Sequence, residues 1–229
     1  MLSCLVGSEM CIRDRASSFK EEVFHLDIDL KTNKQNDKSP LIIRPKTIEL
    51  KDVESKASLS KNESIYSALK LGLKDYVRKN KFTKVLIGTS GGIDSALTAA
   101  ICVDALGAEN VIGVAMPSKY NSKDSLDDAI KLSDNLGITL KTIEIEKLVD
   151  DFRETLTNSL NEDLGQITDE NIQSRVRGNI LMGLSNQTGA MVVSTGNKSE
   201  MAVGYSTLYG DLAGGFALIK DLYLSLIHI

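Results

Sequence analysis

The sequence predicts an α/β protein: a doubly wound parallel sheet with helices on both faces. Short apolar runs alternate along the chain with stretches of helical period, the pattern of successive βαβ units. A turn of small residues joins the first such run directly to a helix, as strand-to-helix connections in this class do. The composition agrees: 229 residues, 42% hydrophobic and 25% charged, with 17 Gly, 3 Pro and no Trp, are ordinary for a globular chain and exclude a collagenous or wholly disordered one. No apolar run approaches the ~18 residues of a membrane span.

The elements follow in order. Val23–Asp29 alternates like one strand, and residues 31–60, rich in Lys, Asn, Asp and Ser with Pro40 and Pro45, read as a linker. Ile65, Leu69, Leu73, Tyr76 and Val77 recur at helical spacing, so a helix is expected over Glu63–Lys79. Val85–Gly88 is a strand, and Leu97, Ala100, Ile101 and Ala105 mark the helix after it. A strand at Val111–Met116, a helix at Ser125–Leu136, a strand at Ile138–Ile145 and a helix at Leu148–Leu160 continue the alternation. Asp169–Asn186 is helical, and Ala190–Ser194 is expected as the last buried strand. Cys102 falls on the packing face of its helix.

Both ends are set aside. Met10–Asp14, back-translated as ATG TGT ATA AGA GAC AG, has a reverse complement that translates as Leu-Ser-Leu-Ile-His, the order found at Leu224–His228. An inverted repeat at the two ends is expected of a transposon-derived sequencing adapter read through as coding sequence. The expected organisation is adapter translation at 1–15, a remnant of a preceding domain plus linker at 16–60, an incomplete main domain at 61–223, and adapter translation at 224–229.

Charge and cysteine content narrow the function. Lys+Arg 27 against Asp+Glu 31 leaves a net charge of −4, without the basic excess of a nucleic-acid binder. Cys4, Cys11 and Cys102 are too few and too scattered for a disulfide framework or a zinc site.

The chemistry concentrates in Gly88-Thr89-Ser90-Gly91-Gly92-Ile93-Asp94-Ser95, between the first strand and its helix. Such a turn exposes backbone N–H groups at the positive end of a helix, where a phosphate binds, and the paired glycines allow close approach. It lacks the lysine and spacing of a Walker A loop and is not G-x-G-x-x-G. Asp94 is unexpected beside phosphate unless a divalent cation lies between, and Mg²⁺ typically uses one or two carboxylates with phosphate oxygens. On the residues alone, Asp94 as a mere helix-start acid, Glu200 as a helix cap, and Arg175 and Arg177 as a solvated helix face stay open.

Ser-Gly-Gly-x-Asp-Ser after a strand resembles the pyrophosphate-binding loop of the adenylating ATP pyrophosphatase superfamily. Met116–Tyr120 with Ser125–Asp128, Glu170–Asn179, and Ser194–Tyr205 running into Leu208–Asp211 resemble NAD synthetases in the same order. Thr195-Gly196-Asn197-Lys198 is similar to the glutamine-dependent form. The resemblance implies an adenine nucleotide alpha hydrolase-like fold and a ligase that amidates deamido-NAD to NAD through an adenylated nicotinate, releasing AMP and pyrophosphate. It implies that Gly88, Thr89, Ser90, Gly91, Gly92, Ile93, Asp94, Ser95 and Thr195 bind ATP. Asn171, Arg175 and Glu200 would bind deamido-NAD, and Asp94 and Glu200 would hold Mg²⁺. The implied partners are ATP, deamido-NAD and ammonia or glutamine, with no nucleic acid and no membrane, in a cytoplasmic homo-oligomer. Ammonia would come from a nitrilase-type glutaminase domain upstream. The family's further segment beyond Leu222 is also expected to be missing, so the chain as written is expected not to form NAD. The alternatives are another adenylating enzyme, of amidotransferase or tRNA-thiolating type, a non-catalytic nucleotide-binding module, or an inert fragment.

Overall fold

The computed structural model describes residues 18–20, 59–118 and 123–228. The adapter-like residues 1–15, the strand expected at Val23–Asp29 with His25, most of the expected linker, and Lys119 and Tyr120 lie outside them. The chain divides into two compact units, Met1–Ser64 and Ile65–Ile229; the second holds the sheet.

Helix α1 spans Lys61–Lys79, starting earlier than its apolar period suggests. Ser60 and Glu63 explain the start: Glu63 N–H donates to Ser60 Oγ at 3.3 Å and Ser60 N–H donates to the Glu63 carboxylate at 2.8 Å. That reciprocal pair satisfies two donors a helix start would otherwise leave open.

Five parallel strands follow: β1 (Val85–Gly88), β2 (Val111–Ala115), β3 (Thr139–Thr142), β4 (Met191–Ser194) and β5 (Phe216–Ala217), in the order β3-β2-β1-β4-β5. Helices α2 (Ile93–Leu106), α3 (Lys123–Leu136), α4 (Glu146–Leu160) and α5 (Gln166–Thr188) make the crossovers, α4 and α5 together joining β3 to β4. Strand alternation divides the core. Val85, Ile87, Met191 and Val193 pack with α1 and α2 on one face, while Leu86, Val192, Val149, Ile172 and Val176 pack with α4 and α5 on the other.

The strand expected to be last is followed by another. β5 has two residues and follows Ala213-Gly214-Gly215, too short a stretch to show any period. β3 is shorter than the expected Ile138–Ile145 because its partner β2 ends at Ala115, and Ile145 serves instead as the N-cap of α4. Two short helices were not foreseen, α6 (Lys198–Val203) and α7 (Leu224–His228). The residues of α7 are those set aside as adapter translation, and Leu226 and Ile227 pack against the α1–α2 side of the core.

Cys102 is fully buried in α2, and burial pushes its thiol up to about 12. A buried thiol held protonated is a poor nucleophile. Ellman's reagent at neutral pH is therefore expected to leave Cys102 unmodified in the native chain and to label it after denaturation, with peptide mapping to identify the labelled site.

Candidate functional site

β1 and β4 are neighbours, and the connection leaving β1 runs to β2 while the one leaving β4 runs the opposite way, to β5. A crevice opens at the carboxyl edge of such a switch point. Gly88 ends β1 and Ser194 ends β4 at this edge, which places the Gly88–Ser95 turn beside Thr195.

The turn is tied by its own hydroxyls. Ser95 Oγ donates to the Gly92 carbonyl at 2.9 Å, Gly92 N–H donates to Ser90 Oγ at 3.2 Å, and the two hydroxyl oxygens are 3.3 Å apart. Thr89 N–H donates to the Val114 carbonyl at 2.9 Å, and Thr89 Oγ1 is buried without a partner among the described residues. Gly91 has φ +79°, and a Cβ there would run into the carbonyl oxygen of Ser125. The turn and the start of α3 therefore touch backbone to backbone, which glycine alone permits. Gly92 is the N-cap of α2, and no side chain caps that end. The first-turn amides of α2 are thus not claimed by a capping side chain and suit an anion.

A cavity of ≈ 310 Å³ lies against this turn. Gly88, Thr89, Ser90 and Thr195 line it, and so do Arg177 and Asp211, neither of which has a role predicted from sequence. Arg177 Nε donates to the Met116 carbonyl at 3.4 Å, one terminal nitrogen reaches Ser118 Oγ at 3.5 Å, and burial lowers the guanidinium from its ordinary value. A signal for Arg177 was present. Residues two apart on a helix point about 200° away from each other, so Arg175 and Arg177 cannot share one face. Arg175 is exposed, and Arg177 turns toward the cavity.

Asn171 and Arg175 do not line the cavity; they fasten the loop that does. Thr207 Oγ1 donates to Asn171 Oδ1 at 2.7 Å, Arg175 Nε donates to the Leu208 carbonyl at 3.3 Å, and Asp211 N–H donates to Ser174 Oγ at 3.0 Å. Gly178 and Gly210 let this loop cross α5 closely, since a Cβ on Gly178 would sit 2.9 Å from the carbonyl oxygens of Tyr209 and Gly210.

Asp94, in the first turn of α2, accepts from Asn197 Nδ2 at 3.4 Å. Glu200 forms a capping box with the same residue: Asn197 N–H donates to Glu200 Oε2 at 2.9 Å, and Glu200 N–H donates to Asn197 Oδ1 at 3.0 Å. One residue therefore contacts both carboxylates that the resemblance implies for Mg²⁺. Each carboxylate keeps one oxygen without a hydrogen bond among the described residues, a donor set of the hard, anionic kind that Mg²⁺ takes. No helix among the described residues is long and apolar enough to cross a membrane.

Residues 65–227 match the NAD synthase family. The chain is similar to the glutamine-dependent NAD(+) synthetase of Thermotoga maritima, 46% identical over 222 residues, covering 90% of this chain and 38% of that one. The enzyme of the same description from Aquifex aeolicus is 44% identical over 230 residues, covering 93% and 41% respectively. The chain thus spans about two-fifths of the length of these curated relatives. Among solved structures, the glutamine-dependent NAD+ synthetase from Acinetobacter baumannii in complex with ADP superposes with TM-score 0.74 at 48% identity, over 76% of this chain and 33% of that one. The NH3-dependent NAD synthetase from Campylobacter jejuni superposes with TM-score 0.68 at 35% identity, over 74% and 72%.

Proposed function

Since the chain belongs to the NAD synthase family, we propose that it is the synthetase portion of a ligase that converts deamido-NAD to NAD with ATP, through an adenylated nicotinate. The nicotinate carboxylate attacks the α-phosphorus of ATP and pyrophosphate leaves. Ammonia then attacks the acyl carbon and AMP leaves. The observation that carries the reading is the small-residue turn that leads into the N-terminus of α2, which no side chain caps: Gly88, Thr89 and Ser90 of that turn line a cavity together with Arg177.

In this reading the amides of Gly88–Ser95 hold the phosphates of ATP, and Thr195 meets the nucleotide from the neighbouring strand. Asp94 and Glu200 would hold Mg²⁺, which when bound offsets phosphate charge. Asn171, Arg175 and Glu200 address deamido-NAD, with a guanidinium suited to grip phosphate or carboxylate. The loop fastened by Asn171 and Arg175 brings Asp211 to the cavity, so both residues also shape the space the dinucleotide would enter.

Glutamine as the nitrogen source is supported by Thr195-Gly196-Asn197-Lys198 and by the identity to the two glutamine-dependent relatives. Their greater length supports a glutaminase domain elsewhere in the full-length protein. The reading includes a cytoplasmic location and pairing of synthetase domains through their helices, for which the exposed apolar pair Leu148 and Phe152, four apart on α4, is the support.

The test gives the full-length enzyme ATP, Mg²⁺ and ammonium, with and without deamido-NAD. AMP and pyrophosphate are expected only when deamido-NAD is present, together with an equal amount of NAD. Release of ADP and phosphate, or ATP cleavage indifferent to deamido-NAD, overturns the reading.

A further inference from the structure

Asn197 is more than a helix cap. It is 1% exposed, and its side chain is used in two directions. Oδ1 accepts from Glu200 N–H at 3.0 Å, which closes the capping box, and Nδ2 reaches Asp94 Oδ1 at 3.4 Å, 103 residues away in the chain. Chemistry fixes this orientation of the amide. A backbone N–H needs the oxygen, and a carboxylate, which only accepts, needs the NH₂ group.

Capping alone does not call for asparagine. Ser, Thr and Asp accept from the third helical amide equally well. Among these four residues, only asparagine combines the capping acceptor with an amide donor that leads onward to a carboxylate. An aspartate would set two like charges together, and a lysine or arginine would neutralise Asp94 and weaken its pull on a cation. A neutral donor orients the carboxylate while leaving its charge in place.

We propose that Asn197 is a positioning residue that joins the two carboxylates of the site: it caps the helix carrying Glu200 and, through its amide, holds Asp94 at the mouth of the glycine-rich turn. The inference rests on the reading of that turn as a Mg·ATP site. Its effect passes through Asp94, so it must vanish when Asp94 loses its charge.

The test is a double-mutant cycle on ATP binding by the 229-residue chain, followed by calorimetry with Mg²⁺ and with EDTA. Asn197→Ser keeps the capping oxygen and removes the amide. With Mg²⁺ it is expected to raise the dissociation constant about tenfold, the low end for a lost hydrogen bond to a charged group. In the Asp94→Asn background the same change is expected to cost less than about twofold, and with EDTA the Ser variant should match the wild type. Its melting temperature should stay within about 2 °C of the wild type, because the cap is kept. If serine disturbs α6, Asn197→Thr, another capping residue without the amide, repeats the cycle. Equal losses in both backgrounds, or no loss in either, overturn the proposal while leaving the nucleotide site standing. A wild-type chain that binds no Mg·ATP removes the site reading and the proposal with it.

Discussion

Asp94→Asn is expected to lower turnover of the full-length synthetase by about 10²–10³, roughly 3–4 kcal/mol of lost electrostatic stabilisation. The substitution keeps size and shape, so packing around the start of α2 should hold. Asp94 is half-buried and its recorded partner is the Asn197 amide, which an asparagine carbonyl can still engage. What disappears is the negative charge beside the glycine-rich turn. The measurement is kcat at saturating ATP over a range of Mg²⁺, with thermal melting as the control for folding. Full turnover of the Asn variant at ordinary Mg²⁺ would remove Asp94 from the metal site.

Gly91→Ala should be the most damaging single change in the turn. Its φ of +79° is strained for any residue with a Cβ, and that Cβ would meet the main-chain carbonyl of Ser125, which cannot rotate away. The two effects together are expected to cost about 3 kcal/mol, or roughly 10 °C in melting temperature for a domain of this size. Nucleotide binding should be lost with it. Gly189→Ala separates the terms: Gly189 has φ +70° at the end of α5 with nothing within 4 Å of the added carbon, so only the backbone strain of about 1 kcal/mol applies. Equal melting points for the two variants would show that the contact between the turn and α3 is soft.

The three central strands β1, β2 and β4 were legible because they are buried on both faces and show as bare apolar runs, whereas the largely exposed edge strand β3 showed only as alternation. Leu86 and Ile87 feed opposite cores, so neither position admits a polar residue. β5 was not legible, since two residues show no period and its pairing depends on β4 being in place. The glycine-rich turn, for which phosphate binding is proposed, could be read from glycine spacing and Asp94, which are local features. The roles of Arg177 and Asn197 depend on what lies opposite them, Met116 and Ser118 for one and Asp94 for the other. Glu200 shows the same limit from the other side: an acid three residues after an asparagine signals a capping box, yet its link to Asp94 through Asn197 is a tertiary fact.

The central position of β1 also has a temporal consequence. Ile87 pairs with Gly113 across a single helix, but it pairs with Val193 only after about a hundred residues have been made. Short closures are entropically cheaper, so β1, α2 and β2 are expected to assemble while the rest of the chain is still emerging from the ribosome. During that interval the glycine-rich turn exists without Thr195 or Asn197 beside it, and Asp94 has no amide to hold it. Nucleotide would then stabilise only those molecules in which β4 has inserted, by the ordinary mass-action effect of a ligand on the state that binds it. Added during refolding, ATP should therefore leave the early steps unchanged and slow the release of β4, making ligand occupancy a reporter of the last strand to join that edge.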